Sequence, residues 1–201
     1  MGERVVRARG ARRSTRHPGG PGSRRRGACW RRRDLRAYCK TRCGERARRG
    51  GNAMPVDRSH VERNARSRAR LRHLVERLTD ADLLRPVGDE WTIGVTLAHL
   101  GFFDRWVGIR WDQNERGGTI EGLPDVVTEL INASALADWK ALPSRRAADL
   151  ALTAAEQLDL RLERLPDEAV ILVLDSGRPF MVDRASHRDS HLDDVERALT
   201  R

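Results

Sequence analysis

Apolar residues recur at helical spacing along most of residues 59–199, and the breaks between the runs are marked by Pro, Gly and capping residues. The first predicted helix runs from Ser59 to Leu78, with Ser59 and Glu62 at capping-box spacing and Val61, Ala65, Leu71, Leu74, Val75 and Leu78 forming its stripe; Thr79-Asp80 ends it. After the turn-like Arg85-Pro86-Val87-Gly88, a second helix is predicted from Ile93 to about Asn114, with Thr92 as N-cap and Gly117-Gly118 closing it. A shorter third helix opens at Pro124-Asp125 and runs to Leu142, where Pro143-Ser144 stops it. The fourth, Arg145 to Leu165, carries Ala151, Ala154, Leu158, Leu162 and Leu165 on one face and ends at Pro166. Ala169 to Leu174 contains a short β-branched run and reads as a strand, or as a small hairpin with Pro179 to Val182. Asp183 then caps a last helix from Arg184 to Leu199. The pattern predicts an all-α four-helix bundle with one short extended excursion before the last helix.

Charge divides the chain at about Met54. The formal net charge of +10 averages two unlike parts: residues 1–53 hold 18 Arg or Lys against 3 acidic residues, and the remainder holds 21 against 26. A nucleic-acid reading therefore attaches only to residues 1–53, whose clustered arginines could neutralise phosphates. That segment has almost no apolar periodicity, is broken by Pro18-Gly19-Gly20-Pro21-Gly22, and is expected to be a disordered tail. A targeting peptide is not supported, because no apolar run of signal length follows the positive charges. The favoured reading places the true translation start at Met54. Only Lys40 and Lys140 are lysines, an Arg bias that points to a GC-rich genome, in which spurious upstream frames come out Arg-rich. Cys29, Cys39 and Cys43 all lie in this tail, with no common zinc spacing and with His17 not placed to complete one. A domain from Met54 onward then lacks cysteine, which fits a reducing cytoplasm, and no stretch has the length of a membrane span.

The candidate chemistry rests on histidines. His187 and His191 are four residues apart on the last predicted helix, so they sit roughly 40° apart on one face and one turn apart along it. Two imidazoles so placed can chelate one ion, although the same spacing also occurs on solvated helix faces. His99 shares its side of the second helix with Val95, Phe103 and Trp106, flanked by Leu100, Val107 and Trp111, and so faces inward. An inward imidazole is either a core histidine bonded to a carboxylate or carbonyl, or a metal ligand. Together the three have the ligand types of a three-histidine divalent-metal site with an open coordination position. Imidazoles suit zinc, nickel, copper or iron; zinc or nickel is the expected ion. Three neutral ligands leave the ion its full charge, which would acidify a water or thiol brought to it. No His-Glu-x-x-His motif is present, so nothing supports a protease.

Trp91-Thr92-Ile93 leading through Leu97-Ala98-His99-Leu100 to Asp104, with Ser186-His187-Arg188-Asp189-Ser190-His191-Leu192 far downstream, resembles the DinB/YfiT-like superfamily of metal-binding four-helix bundles. The resemblance spans nearly all of residues 56–200 and implies His99, His187 and His191 as the ligands. Ile131-Asn132-Ala133 through Trp139-Lys140-Ala141-Leu142-Pro143 is similar to the actinobacterial branch that includes the N-terminal domain of mycothiol-dependent maleylpyruvate isomerase. That isomerase has Glu where this chain has His187. The resemblance implies a metal-dependent transferase that activates a low-molecular-weight thiol such as mycothiol for attack on an electrophile. A domain without cysteine is compatible with this, since the sulfur would arrive with the cosubstrate.

Other residues carry two readings each. Phe103 and Trp106 are core, or they line an apolar substrate pocket beside the ion. Arg110, one turn beyond Trp106, faces solvent or holds a substrate carboxylate. Asp194, three residues after His191, is a surface carboxylate or an outer partner orienting a ligand. Asp104 points away from His99 by helical angle and is not expected to act as a base. No catalytic residue is assigned. The functional alternatives are a thiol S-transferase, a hydrolase using water in place of the thiol, and a non-catalytic metal-binding stress-response bundle that could dimerise with itself through exposed helix faces. Nucleic acid enters only if residues 1–53 are translated.

Overall fold

The computed structural model describes residues 55–88, 90–120 and 123–200; the expectations for residues 1–53 and for a start at Met54 fall outside them. Among the described residues, seven α-helices and one 3₁₀ turn follow in order: α1 (Ser59–Arg77), α2 (Asp80–Leu83), α3 (Ile93–Glu115), α4 (Asp125–Ala141), α5 (Ser144–Glu163), α6 (Asp167–Asp175), the 3₁₀ turn Pro179–Met181, and α7 (Ala185–Leu199). The bundle is a ring in which α1 packs on α5, α5 on α3, α3 on α7, and α7 back on α1. Helix α4 stands outside the ring against α3.

That placement explains why α3 is not amphipathic at its start. Every residue from Ile93 to Gly101 is buried, because α4 covers the face that would otherwise meet water. Thr92 caps α3 as its sequence predicts, its hydroxyl accepting from the Val95 amide. At the other end Gly117, with φ +90°, closes a Schellman motif in which the Gly117 amide reaches the Asn114 carbonyl and the Gly118 amide reaches that of Gln113.

The predicted strand or hairpin is overturned. Residues 167–175 form α6 and 179–181 a 3₁₀ turn, and no strand occurs among the described residues. The β-branched run buries Val170 and Val173, three residues apart, while Leu172 stays 54% exposed. One-sided burial at helical spacing outweighs weak β propensity. Pro166 ahead of the first turn, Asp167 and Glu168 within it, and a Schellman closure at Gly177 (φ +70°) supply both ends. Two smaller differences also have local causes. Asp57, not Ser59, accepts from an amide at the start of α1. Thr79-Asp80 ends α1 but also opens α2, since Thr79 and Asp82 form a reciprocal capping box.

Two apolar clusters fill the ring. One joins Leu71 and Leu74 of α1 and the following Leu78 with Leu97 and Leu100 of α3, Ala151 and Ala155 of α5, and Leu192 and Val195 of α7. The other joins Val107 and Trp111 of α3 with Leu158 and Leu162 of α5, Val170 and Val173 of α6, and Met181. Along α3 and α5 a polar layer containing Asp104 and Asp159 falls between them, and the candidate site is built on this layer.

Candidate metal centre

The start of α7 is fixed from α1. Asn64, fully buried, accepts from the amides of Arg184 (2.8 Å) and Ala185 (3.1 Å) and donates from Nδ2 to the Val182 carbonyl (2.8 Å). A neighbouring helix thus caps α7, whose own N-cap residue, Arg184, offers no side-chain cap. Asp183, the cap predicted from sequence, contributes one bond to the Ala185 amide at 3.2 Å.

From that anchored end, α7 turns Arg184, His187, Arg188 and His191 inward. Arg188 is fully buried, donating from Nε to Asp104 at 2.8 Å and from its two Nη atoms to Asp159 at 3.1 and 2.8 Å. Arg184 donates from Nε to the other oxygen of Asp104 at 3.0 Å. Such charges are tolerated inside only because each is paired and hydrogen-bonded. Burial pushes the Asp159 carboxyl up, and the Arg188 guanidinium offsets this only in part. Asp104, set aside as a base by its helical angle, is the hinge of this network.

The structure brings the three predicted histidines together: one ring nitrogen from each of His99, His187 and His191 lies within 4.8 Å of the others. Nε2 of His99 and Nε2 of His187 are 3.2 Å apart. Behind His187, Arg184 Nη2 lies 2.9 Å from Nδ1, and because a guanidinium only donates, Nδ1 must accept. The proton of neutral His187 is then on Nε2, where it donates to Nε2 of His99, and the His99 proton is on Nδ1. Burial holds His99 far below the usual imidazole range, at about 3, with His191 and Arg184 adding to the effect. Burial, then Arg184, lowers His187 further, and burial also lowers His191 against the pull of Asp194. All three are neutral at pH 7, the protonation state a metal ligand requires. A set of three neutral imidazoles within one ion's reach would suit a divalent cation once the proton on His187 Nε2 is displaced, since a ligating nitrogen must offer its lone pair.

Aromatic rings enclose the group. Phe103 sits 4.7 Å from His99 and 5.8 Å from His187 between ring centres, so it lies beside the site while being buried. Trp106 stands one ring further out, 6.4 Å from Phe103. Arg110 lies over the Trp106 ring at 5.6 Å and donates to the Thr119 carbonyl at 3.4 Å. The Asp194 carboxylate is 3.9 Å from His191 Nδ1, beyond hydrogen-bond reach, and is held by Arg197.

Three contributors were not legible as site residues. Trp91 stacks on His191 at 6.3 Å with an interplanar angle of 9° and also meets His99 at 5.0 Å. Trp139, brought in by α4, sets its edge against His99 at 5.4 Å. Arg184, three residues before His187, has a sequence signal only in hindsight, as a cation on the histidine side of α7. Trp91 precedes its helix, so no angular argument reaches it, and the docking of α4 on α3 is a tertiary fact.

No helix among the described residues is long and apolar enough to cross a membrane. No curated protein and no solved structure matches the chain. The family profile of the DinB superfamily matches residues 63–173, which takes in His99 and stops short of the His187/His191 pair. With the bundle and the histidine group in place and more than half of the sequence matched, the chain belongs to the DinB superfamily.

Proposed function

We propose that the protein is a divalent-metal-dependent enzyme in which His99, His187 and His191 hold the ion and a small thiol is transferred to an electrophile. The observation that carries this reading is the convergence of three neutral imidazoles from α3 and α7 at mutual distances of 4.8 Å or less. A divalent ion in such a set supplies Lewis acidity, which lowers the pKa of a thiol or water that meets it. The chain's own residues do the rest. His99 is nearly fully buried, while His191 keeps a quarter of its side chain exposed, so approach is from the His191 side. Trp91 and Phe103 restrict water there and present apolar faces to an incoming electrophile. No cysteine lies within residues 54–201, which is consistent with a sulfur delivered by the cosubstrate.

A non-catalytic metal-binding bundle would keep the same three histidines on the ion without turnover. A hydrolase would use the same ion with water in place of the thiol. The test is elemental analysis of the full chain beside His99→Ala, followed by consumption of a chromogenic aromatic electrophile with added thiol before and after chelation. One ion per chain, lost in the variant, and thiol-dependent turnover abolished by chelation are expected. A metal content unchanged by His99→Ala would contradict the site, and full occupancy without turnover would leave the metal-binding bundle.

A further inference from the structure

The ring nitrogen of His99 that faces away from the histidine group is a buried atom without a completed hydrogen bond, and so is the side-chain oxygen of Asn132 on α4. Buried polar atoms left unmatched are rare, and two of complementary type call for explanation together. The proton assignment above puts an N–H on Nδ1 of His99; Asn132 Oδ1 is an acceptor. Seven residues separate Asn132 from Trp139, which places them within about 20° on the same side of α4. Trp139 is in edge contact with His99, and Ile131, Ala135 and Leu136 of the same helix pack into the cluster around Phe103. The face of α4 bearing Asn132 is therefore the face turned to His99.

We propose that Asn132 positions His99 by accepting its Nδ1 proton, so that the Nε2 lone pair stays directed at the site shared with His187 and His191. Helix α4, which belongs to no side of the four-helix ring, thereby acquires a function. It carries the outer partner of His99, and it stands in contrast to Arg184, which meets His187 from behind with a donor. Outer partners that accept from a ligating imidazole fix its tautomer and raise its basicity.

The inference rests on reading His99 as a metal ligand, and the experiment separates the two. Zn²⁺ affinity of the full chain is measured by chelator competition for wild type, Asn132→Leu and Asn132→Asp. In parallel, ¹⁵N resonances of the His99 ring are recorded with and without Zn²⁺. Asn132→Leu is expected to weaken Zn²⁺ binding roughly 10- to 100-fold. Asn132→Asp, with a stronger acceptor, should bind at least as tightly as wild type, which a purely packing role would not produce. The wild-type ring should be Nδ1-protonated in both states. Equal affinity in wild type and Asn132→Leu, an Asp variant no tighter than the Leu variant, or an Nε2-protonated ring in the metal-free chain overturns the proposal. Absence of Zn²⁺ binding by wild type sinks the metal reading alone, since the ring resonances still judge Asn132. If Asn132→Leu does not fold, the Asp variant and the wild-type tautomer decide.

Discussion

Replacing Arg188 by Met removes the cation that two buried carboxylates share. Arg188 is fully buried and contributes three hydrogen bonds to Asp104 and Asp159 at 2.8–3.1 Å. Without it Asp104 retains Arg184 at 3.0 Å, but Asp159, only 7% exposed, keeps only the ion pair with Arg68 at 3.3 Å. Met fills much of the vacated volume, so the cost is electrostatic: an uncompensated buried carboxylate, for which about 3–5 kcal/mol is typical. Against a total stability of about 5–15 kcal/mol this is a large fraction. At about 2–4 °C per kcal/mol for a domain of this size, Tm should fall by about 6–20 °C. Urea titration of the full chain measures the free-energy loss and thermal melts the Tm, both followed by far-UV circular dichroism. The companion double variant Arg188→Met/Asp159→Leu leaves the Asp104–Arg184 pair intact and frees the partly exposed Arg68, so it should recover most of the loss. A single variant costing under about 1 kcal/mol, or a double variant no better than the single one, would refute the account of the network as a mutually neutralised layer.

Two further outcomes follow from the geometry. Between the ordinary imidazole value of 6.5 and about 3, an unfolded His99 takes up a proton that the folded one refuses. The unfolded state binds more protons across that window, so stability should fall as pH is lowered from 7 toward 3, with His187 and His191 adding to the slope. Thermal melts at stepped pH check this, and a flat profile below pH 6.5 would contradict the burial of the histidines as neutral rings. Gly101 allows α3 to approach α5, since a Cβ there would meet the Ala151 backbone at 3.1 Å. Gly101→Val should therefore cost about 1–3 kcal/mol in urea denaturation through overpacking, and a stability at or above wild type would show that the two helices can separate without loss.

The long helices were legible because their apolar positions repeat at helical spacing and their ends carry recognisable chemistry, as at Thr92 and Gly117. His99 was legible for the same reason, since an inward histidine among Val95 and Phe103 must find partners wherever the helix packs. What failed did so where local pattern and tertiary placement part. The run Val170 to Leu174 has strand-like composition, yet Pro166 and Gly177 set helical ends and only one side is covered. Trp91 and Trp139 reach the histidines through the docking of a loop and of α4, and no periodicity within a single element encodes that.

Helix α7 shows why the site itself was only half visible. Arg184, His187, Arg188 and His191 fall within about 100° of arc, so apart from Ala185 the interior side of its first half is polar, while Leu192, Val195 and Ala198 make the later part apolar. A hydrophobic-stripe argument sees only that second half. The polar half stays inside because the rest of the bundle answers it residue by residue: Asp104 from α3, Asp159 from α5, Asn64 from α1. The arginines and the histidines are thus one device, in which the ion-paired guanidiniums lock the rotation of α7 and the two imidazoles are carried into register with His99. Any change that rotates α7, such as losing the Asn64 cap or the Arg188 pairs, should disturb the histidine group before it unfolds the bundle.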